Sequence, residues 1–350
     1  MKILIVTVYN SHNSGSFLQA YALYHVLLDM GHEVAFLKRN IKGSSHDKIN
    51  VLNNIFRSLL KLRISQACYI FKEWCVYEKL QKRLPIKDMD SVFYNQCECI
   101  VIGSDTLWNF DSSYFRNNAA NYLGSIFRGK RVITYAVSAG NTQMANFQKI
   151  ISKYAGLSKI ERVLVRDEHT KQLVELSTEY NATIVSDPTL IVAKSVFEIF
   201  CKTPVVSNPY ILLYFSGRLP KDLIEEIKCI AKEYNLEIVS MPSKRSWCQK
   251  SLYSSPQNMV TYYSHAKYVI TDTFHGTAFS MIYEKPFAVF DEGKNKVKEL
   301  LLQYGEESRL FSCPKDVRMV LSQKSNVVKS GVMSSIRERS LKIIKQAIMK

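Results

Sequence analysis

An α/β protein with two Rossmann-like domains, each on a mainly parallel sheet, is what this sequence predicts, and three observations carry that expectation. Short runs rich in β-branched residues alternate with longer stretches of helical periodicity along the whole chain, which is the pattern of βαβ units. At 350 residues the chain exceeds what one hydrophobic core usually fills, so two domains of about 150 residues each are expected. Several of the runs end abruptly in clusters of Gly, Ser, Asp, Asn or His. In open α/β sheets, ligands bind just beyond the carboxyl ends of the strands.

Composition narrows the class. With 47% hydrophobic and 22% charged residues the chain is globular and not disordered. No apolar run approaches the roughly 20 residues of a membrane span. The opening MKILIVTVYNSHNSGS has a short apolar run but no small-residue cleavage site, so it is expected to be the first strand and not a signal peptide. The eight cysteines form no C-x-x-C pair and no His/Cys cluster of zinc spacing. That predicts a reduced, cytoplasmic protein with buried thiols and no metal site. The net charge of +16 favours an anionic partner: phosphate-bearing ligands, an acidic membrane surface or nucleic acid. The sequence has no recognisable nucleic-acid module, so no nucleic-acid partner is expected.

The first half then reads in order. Residues 2–8 predict a strand, 17–30 an amphipathic helix closed by Gly31, and 33–37 a second strand, completing βαβ. The unit lacks G-x-G-x-x-G, so dinucleotide binding has no direct support. Two readings of the loop 9–16 stand: a small, polar loop that admits a ligand to the helix N-terminus, or a plain turn capped by Ser16. From 38 to about 90 lies a basic helical insertion, with cations from Lys38, Arg39 and Lys42 to Lys82 and Arg83 interleaved with Ile, Leu, Phe, Tyr and Trp74. Two helices are expected there. They lie on an anionic membrane or acidic partner, or pack on their own domain with a solvated basic face. Residues 99–103 form a strand running into Gly103-Ser104-Asp105-Thr106-Leu107-Trp108-Asn109, and 132–137 one running into Ser138-Ala139-Gly140-Asn141. Together with the first loop, three strands deliver small or polar residues to one sheet edge. A strand at 162–165 leads to Arg166-Asp167-Glu168, and 183–185 leads to Ser186-Asp187-Pro188-Thr189-Leu190, where Pro188 forbids a continued ladder.

Residues 194–209 are the expected crossing, giving domains at 1–200 and 208–330 with an amphipathic terminal helix over 331–350. The second domain opens with a strand at 210–215 that turns at Ser216-Gly217-Arg218, followed by a helix over 220–234 and a strand at 238–241. A helix over 256–265 precedes the strand 268–271, then come Asp272-Thr273-Phe274-His275-Gly276 and a helix, a strand at 286–290 and a helix over 294–304. His275 is either a neutral-range acid/base facing a ligand or a turn residue bonded to backbone.

These clusters, in this order, resemble the polysaccharide pyruvyl transferase family over roughly residues 1–311. Asn13-Ser14-Gly15-Ser16 with Leu18-Gln19-Ala20-Tyr21-Ala22-Leu23 is similar to the family's N-x-G-[DS]-x-L-Q-x-x-A-L. Gly103-Ser104-Asp105 with Trp108-Asn109 resembles G-S-D-Q-V-W-N, with Thr106 and Leu107 replacing Q and V. Tyr135 to Gly140 resembles Y-A-x-S-x-G, Arg166-Asp167-Glu168 resembles R-D-E, and Asp187-Pro188-Thr189-Leu190 resembles D-P-T-L. Thr271 to Ser280 is similar to T-D-S-F-H-G-T-x-F-S. The resemblance implies a glycosyltransferase-B-like pair of domains with the active site in a cleft between them. It also implies transfer of the carboxyethylidene group of phosphoenolpyruvate onto two sugar hydroxyls, with the family's acid/base histidine at the position of His275. Sister branches carry a donor-binding arginine in an Arg-Leu-His turn; here the turn is Thr273-Phe274-His275, so that arginine's role passes elsewhere or is absent.

Phosphoenolpyruvate brings a carboxylate and a phosphate, which call for guanidinium forks, lysines or helix N-termini. Arg218, Arg166 and Arg309 are the donor candidates in that order, with Thr273, Gly276 and Thr277 of the histidine turn. Each arginine is otherwise a surface or bridging ion pair. Asp105 joins His275 as a catalytic candidate, and Asn13, Ser16, Ser104, Asn109 and Ser138 are candidates to hold the acceptor sugar. Trp108 either stacks on a sugar face or is core. No cofactor beyond the donor is expected. The resemblance implies an acceptor that is a capsule, exopolysaccharide or cell-wall precursor, free or lipid-linked, and a cytoplasmic protein is expected, with peripheral contact with an anionic inner membrane face. A nucleotide-sugar-dependent transferase of the same fold and a non-catalytic binding subunit are the alternatives.

Overall fold

The computed structural model describes residues 1–38, 48–154, 157–323 and 330–349. Arg39 and Lys42 of the basic insertion lie outside them. The chain divides into two compact units, Met1–Val192 with Ile336–Lys350, and Ala193–Ser335.

The first unit is built on seven strands: β1 (Lys2–Val6), β2 (Glu33–Leu37), β3 (Ile86–Lys87), β4 (Cys99–Asp105), β5 (Arg131–Val137), β6 (Val163–Val165) and β7 (Ala182–Ile184). They run in the order β3-β2-β1-β4-β5-β6-β7 with every pair parallel. A parallel sheet covered on both faces has no solvent side, so its strands are continuously apolar. Ile3, Leu4 and Ile5 of β1 and Ile100, Val101 and Ile102 of β4 are fully buried. The helix after β1, α1 (Ser14–Asp29), starts three residues earlier than its periodicity predicts. Its N-cap is Asn13 and not Ser16: the Asn13 side-chain oxygen accepts from the Gly15 N–H at 2.9 Å and the Ser16 N–H at 3.2 Å. An extended Asn is well placed to satisfy these otherwise orphaned donors.

The insertion forms two helices packed on each other, α2 (Lys48–Leu60) and α3 (Ile64–Gln81). Tyr77 of α3 is fully buried. Its ring stacks on His12 at 4.8 Å and meets Phe17 edge-on, and its hydroxyl lies 3.3 Å from that of Ser14. The root of the insertion is therefore packed onto the loop that follows β1. At the far end of the chain, the helix Ser330–Met349 buries Ser340, Ile344, Ala347 and Ile348. Arg131 donates to the Ile348 and Ala347 carbonyls at 2.5 and 2.9 Å and pairs with Glu161 at 2.7 Å, placing a cation where the helix dipole favours one.

The second unit has six parallel strands: β8 (Tyr210–Tyr214), β9 (Glu237–Met241), β10 (Lys250–Ser251), β11 (Tyr268–Thr271), β12 (Phe287–Phe290) and β13 (Leu310–Phe311), ordered β10-β9-β8-β11-β12-β13. The edge strands β3, β10 and β13, each two residues long, carry too little sequence pattern to be anticipated. Pro188 ends a ladder as expected, opening the short helix Pro188–Ile191 under the Asp187 cap. Of the thiols, Cys97 and Cys99 are buried, whereas Cys68, Cys229 and Cys313 are exposed. Burial pushes the Cys99 thiol up to about 12.

Glu73 of α3 gives a pH test of the insertion. Burial pushes its carboxyl from the ordinary 4.5 up to about 7, so the folded chain binds this proton more tightly than the unfolded chain does. The group costs nothing below about pH 4.5, and its penalty grows as pH rises through the folded value, to at most about 3 kcal/mol. Glu73→Gln should raise the pH 8 melting temperature and remove that part of the decline between pH 4.5 and 7. Thermal melts across this range should therefore show the two proteins converging on the acid side.

Candidate functional site

In both sheets the first strand lies in the interior and successive connections leave it in opposite directions. The first unit passes from β1 outward to β2 and returns to β4 on the other side, and the second passes from β8 to β9 and returns to β11. Beyond the carboxyl ends of such a pair the connections diverge and leave a crevice, the usual ligand position of open α/β sheets.

At the β1/β4 crevice stands Asp105. Its carboxylate accepts from the Ser16 hydroxyl at 2.6 Å and from the Thr106 N–H at 2.7 Å. Thr7 donates to the Ser104 carbonyl at 3.0 Å, a further tie between the two strand ends. Asp105 has φ +86°, an unusual value for a side-chain-bearing residue; such strain persists only where surrounding bonds hold it and is concentrated at functional sites. Asn109, partly exposed, lies with its amide against Gly140 of the neighbouring β5 loop. Ser104 and Ser138 belong to the same edge but are fully buried. The Ser138 hydroxyl accepts the Gly140 N–H at 3.0 Å and so braces its turn, whereas the Ser104 hydroxyl has no hydrogen-bond partner among the described residues.

Trp108 resolves to core. Its indole N–H donates to the Tyr122 carbonyl at 2.8 Å, its ring packs 6.0 Å from Phe147, and it is fully buried, leaving no face for stacking. Arg166 is buried and paired with Asp187 at 3.0 Å. His12 and Tyr77 stack on each other beside Ser14 and Phe17 of the same loop and helix start, and only the fold brings residues so distant in sequence together.

At the β8/β11 crevice the corresponding carboxylate is Asp272, whose side chain is fully buried. It accepts from the Ser216 N–H at 2.8 Å, the Ser216 hydroxyl at 3.0 Å, the Gly217 N–H at 3.2 Å and the Lys294 ammonium at 2.7 Å. Burial presses this carboxyl upward, but the Lys294 ammonium and the Ser216 amide outweigh it and hold it below the ordinary 3.8. Lys294 also pairs with Glu292 at 2.8 Å; burial pulls it down, but its two carboxylate partners hold it above its ordinary value. Arg245 donates to the Gly217 carbonyl at 3.0 Å, and burial lowers its guanidinium from the ordinary value. Arg218 beside it is exposed and has no ion pair or hydrogen bond among the described residues.

His275 sits in the first turn of the helix Phe274–Ile282, half-buried and edge-on to Phe274 at 5.5 Å. Thr273 caps that helix by accepting the Gly276 N–H at 2.9 Å. Thr277 is buried and donates to the Thr273 carbonyl at 3.0 Å, so it secures the turn and does not contact a donor. Arg309 is a core residue and not a donor cation: it is fully buried, paired with Glu306 at 3.1 Å, bonded to the Val320 carbonyl and stacked 5.2 Å over Phe287. It holds the β12 and β13 side of the core together. The cations missed in the sequence are Arg245 and Lys294. Both follow strand ends, but they fall outside the quoted motifs. Among the described residues no group of three or more His, Cys, Asp or Glu could hold a metal ion.

Two glycines fix this geometry. A Cβ on Gly276 would lie 2.0 Å from the Thr271 hydroxyl and 2.5 Å from that of Thr273, both already committed to bonds. A Cβ on Gly103, at φ +134°, would lie 2.0 Å from the Tyr135 carbonyl, and backbone has less room to give. Gly276→Ala should cost about 1–3 kcal/mol, and Gly103→Ala should cost more because strain adds to overlap. Denaturant unfolding of the two variants ranks them directly.

The comparisons agree with this architecture. The sequence model for polysaccharide pyruvyl transferase matches residues 13–294. No curated protein sequence matches the chain. Among solved structures, UDP-GlcNAc 2-epimerase from Methanocaldococcus jannaschii is similar over 99% of this chain and 100% of its own, with a TM-score of 0.56 at 13% identity. The Neisseria meningitidis UDP-GlcNAc 2-epimerase bound to UDP-GlcNAc is similar over 100% of both chains, with a TM-score of 0.51 at 12% identity. These likenesses show the fold, a glycosyltransferase-B-like pair of parallel-sheet α/β domains. Matched over most of its length, the chain belongs to the polysaccharide pyruvyl transferase family.

Proposed function

We propose that this protein transfers the carboxyethylidene group of phosphoenolpyruvate onto two hydroxyls of a sugar in a capsule, exopolysaccharide or cell-wall precursor, forming a pyruvate ketal and releasing phosphate. The observation that carries the proposal is His275, half-buried in the first turn of a helix at the β8/β11 crevice, beside loops that bear Arg218, Arg245 and Lys294. Protonated, His275 gives its proton to the enol methylene of the donor, which becomes a methyl group, and the central carbon turns electrophilic. One sugar hydroxyl adds to that carbon and loses its proton. The second attacks the same carbon, displaces phosphate with its bridging oxygen, and gives its proton to the departing phosphate. The neutral imidazole left after the first step can receive a hydroxyl proton, so one group serves both directions. Arg218, without an internal partner, is the best-placed guanidinium for a donor anion. Lys294 is neutralised by two carboxylates and contributes chiefly by holding the turn. In the first unit, Asp105, Ser16, Asn13 and Asn109 would orient the acceptor hydroxyls.

The test is separate incubation with phosphoenolpyruvate and with nucleotide sugars, each with candidate acceptor glycans. Phosphate release with the former is expected. Nucleoside diphosphate release with the latter would instead assign a sugar transferase of the same fold, and acceptor binding without turnover of either donor would assign a binding subunit. His275→Ala should lower kcat by about 10²–10⁴-fold with the melting temperature unchanged. Arg218→Ala should act mainly on KM for phosphoenolpyruvate, whereas Arg309→Lys should lower stability and leave KM alone.

A further inference from the structure

The α2–α3 hairpin carries an apolar surface that its own unit does not cover. Leu52, Phe56 and Leu59 recur at helical spacing on α2, and all are exposed, Phe56 to 61%. The turn between the helices presents Leu60 and Leu62, the latter 86% exposed, and α3 begins with Ile64 and carries Phe71, both at least half exposed. The same segment is strongly cationic: residues 48–72 hold five basic side chains and no acidic one. Three of these cations, Arg57, Lys61 and Arg63, converge with Asn54, Ser58 and Gln66 on a groove of about 330 Å³ between the two helices.

We infer that this hairpin docks the protein on an anionic lipid bilayer, with lipid phosphates in the groove lined by Arg57, Lys61 and Arg63 and the side chains of Phe56, Leu60, Leu62 and Ile64 among the acyl chains. Charge and apolarity together select this occupant. A helix pair that mixes exposed large apolar side chains with unopposed cations has the composition of interfacial helices, and nucleic acid offers nothing to cover the leucines. Among the described residues no helix is long and apolar enough to cross a membrane, so attachment would be at the surface. Because Tyr77 packs on His12 and Ser14, docking would hold the β1–α1 loop in fixed relation to the bilayer. This inference does not depend on the reaction proposed above.

Co-sedimentation of the full chain with vesicles decides it. Binding is expected to vesicles of mixed phosphatidylcholine and phosphatidylserine and not to phosphatidylcholine alone, and it should weaken as salt rises. The triple change Arg57→Gln, Lys61→Gln, Arg63→Gln should reduce partitioning by on the order of 100-fold, given the worth of each cation near an anionic surface. The change Phe56→Ser, Leu60→Ser, Leu62→Ser should abolish the binding that survives high salt. All six side chains are exposed, so far-ultraviolet circular dichroism of both variants should match the parent. Failure to bind anionic vesicles overturns the inference, as does binding that survives both sets of changes. A concentration-dependent dimer lost in the Phe56→Ser variant would assign the surface to a second copy instead, and preferential capture by a soluble polyglutamate over vesicles would assign it to an acidic protein; either result also overturns it.

Discussion

Two buried carboxylates, each at the point where its sheet changes direction, hold the ends of neighbouring strands together. The connections leaving β8 and β11 diverge, as do those leaving β1 and β4, so the ladder itself supplies nothing to bind one loop to the other. Asp272 bridges the first gap with bonds from the Ser216 and Gly217 amides, the Ser216 hydroxyl and the Lys294 ammonium. Asp105 bridges the second through the Ser16 hydroxyl. In a low-dielectric surrounding such bonds are strong, and a carboxylate left without them would be costly. Each crevice is therefore a rigid frame before any ligand arrives, which is the condition for preorganised chemistry.

The two frames differ in what they present. In the second unit the carboxylate is satisfied by internal donors, Arg218 is exposed with no ion pair or hydrogen bond among the described residues, and His275 is half-buried in the first turn of its helix. That is a setting for an anion and a proton. In the first unit the frame is of hydroxyl, amide and carboxylate groups, with Asn109 partly exposed beside Gly140, and the buried guanidinium of Arg166 is committed to Asp187. That is a setting for hydroxyls.

Much of the architecture was legible because parallel strands buried on both faces leave continuous β-branched runs, and because strand ends that face a crevice need small and polar residues. The strands beginning at Lys2, Cys99, Tyr210 and Tyr268 announce themselves in this way. The two-residue edge strands do not, since a pattern of period two needs more than two residues to show. Side-chain roles were less legible for a different reason. Trp108 and Arg309 carry the chemistry of binding residues, but their burial depends on partners such as Phe147, Tyr122, Glu306 and Phe287 that only tertiary packing brings near. Ser16 illustrates the converse: as one of several hydroxyls in a loop it resembles a helix cap, and only the placement of Asp105 shows what it is bonded to.

The frame at the β8/β11 crevice is open to direct measurement by hydrogen exchange of the Ser216 and Gly217 amides in the wild type and in Asp272→Asn. Both amides should be protected in the wild type and should exchange about tenfold or more faster in the variant, as expected for a lost charge-assisted bond. Amides that exchange in the wild type as fast as open loop, or that are unaffected by the substitution, would contradict the central role given to this carboxylate.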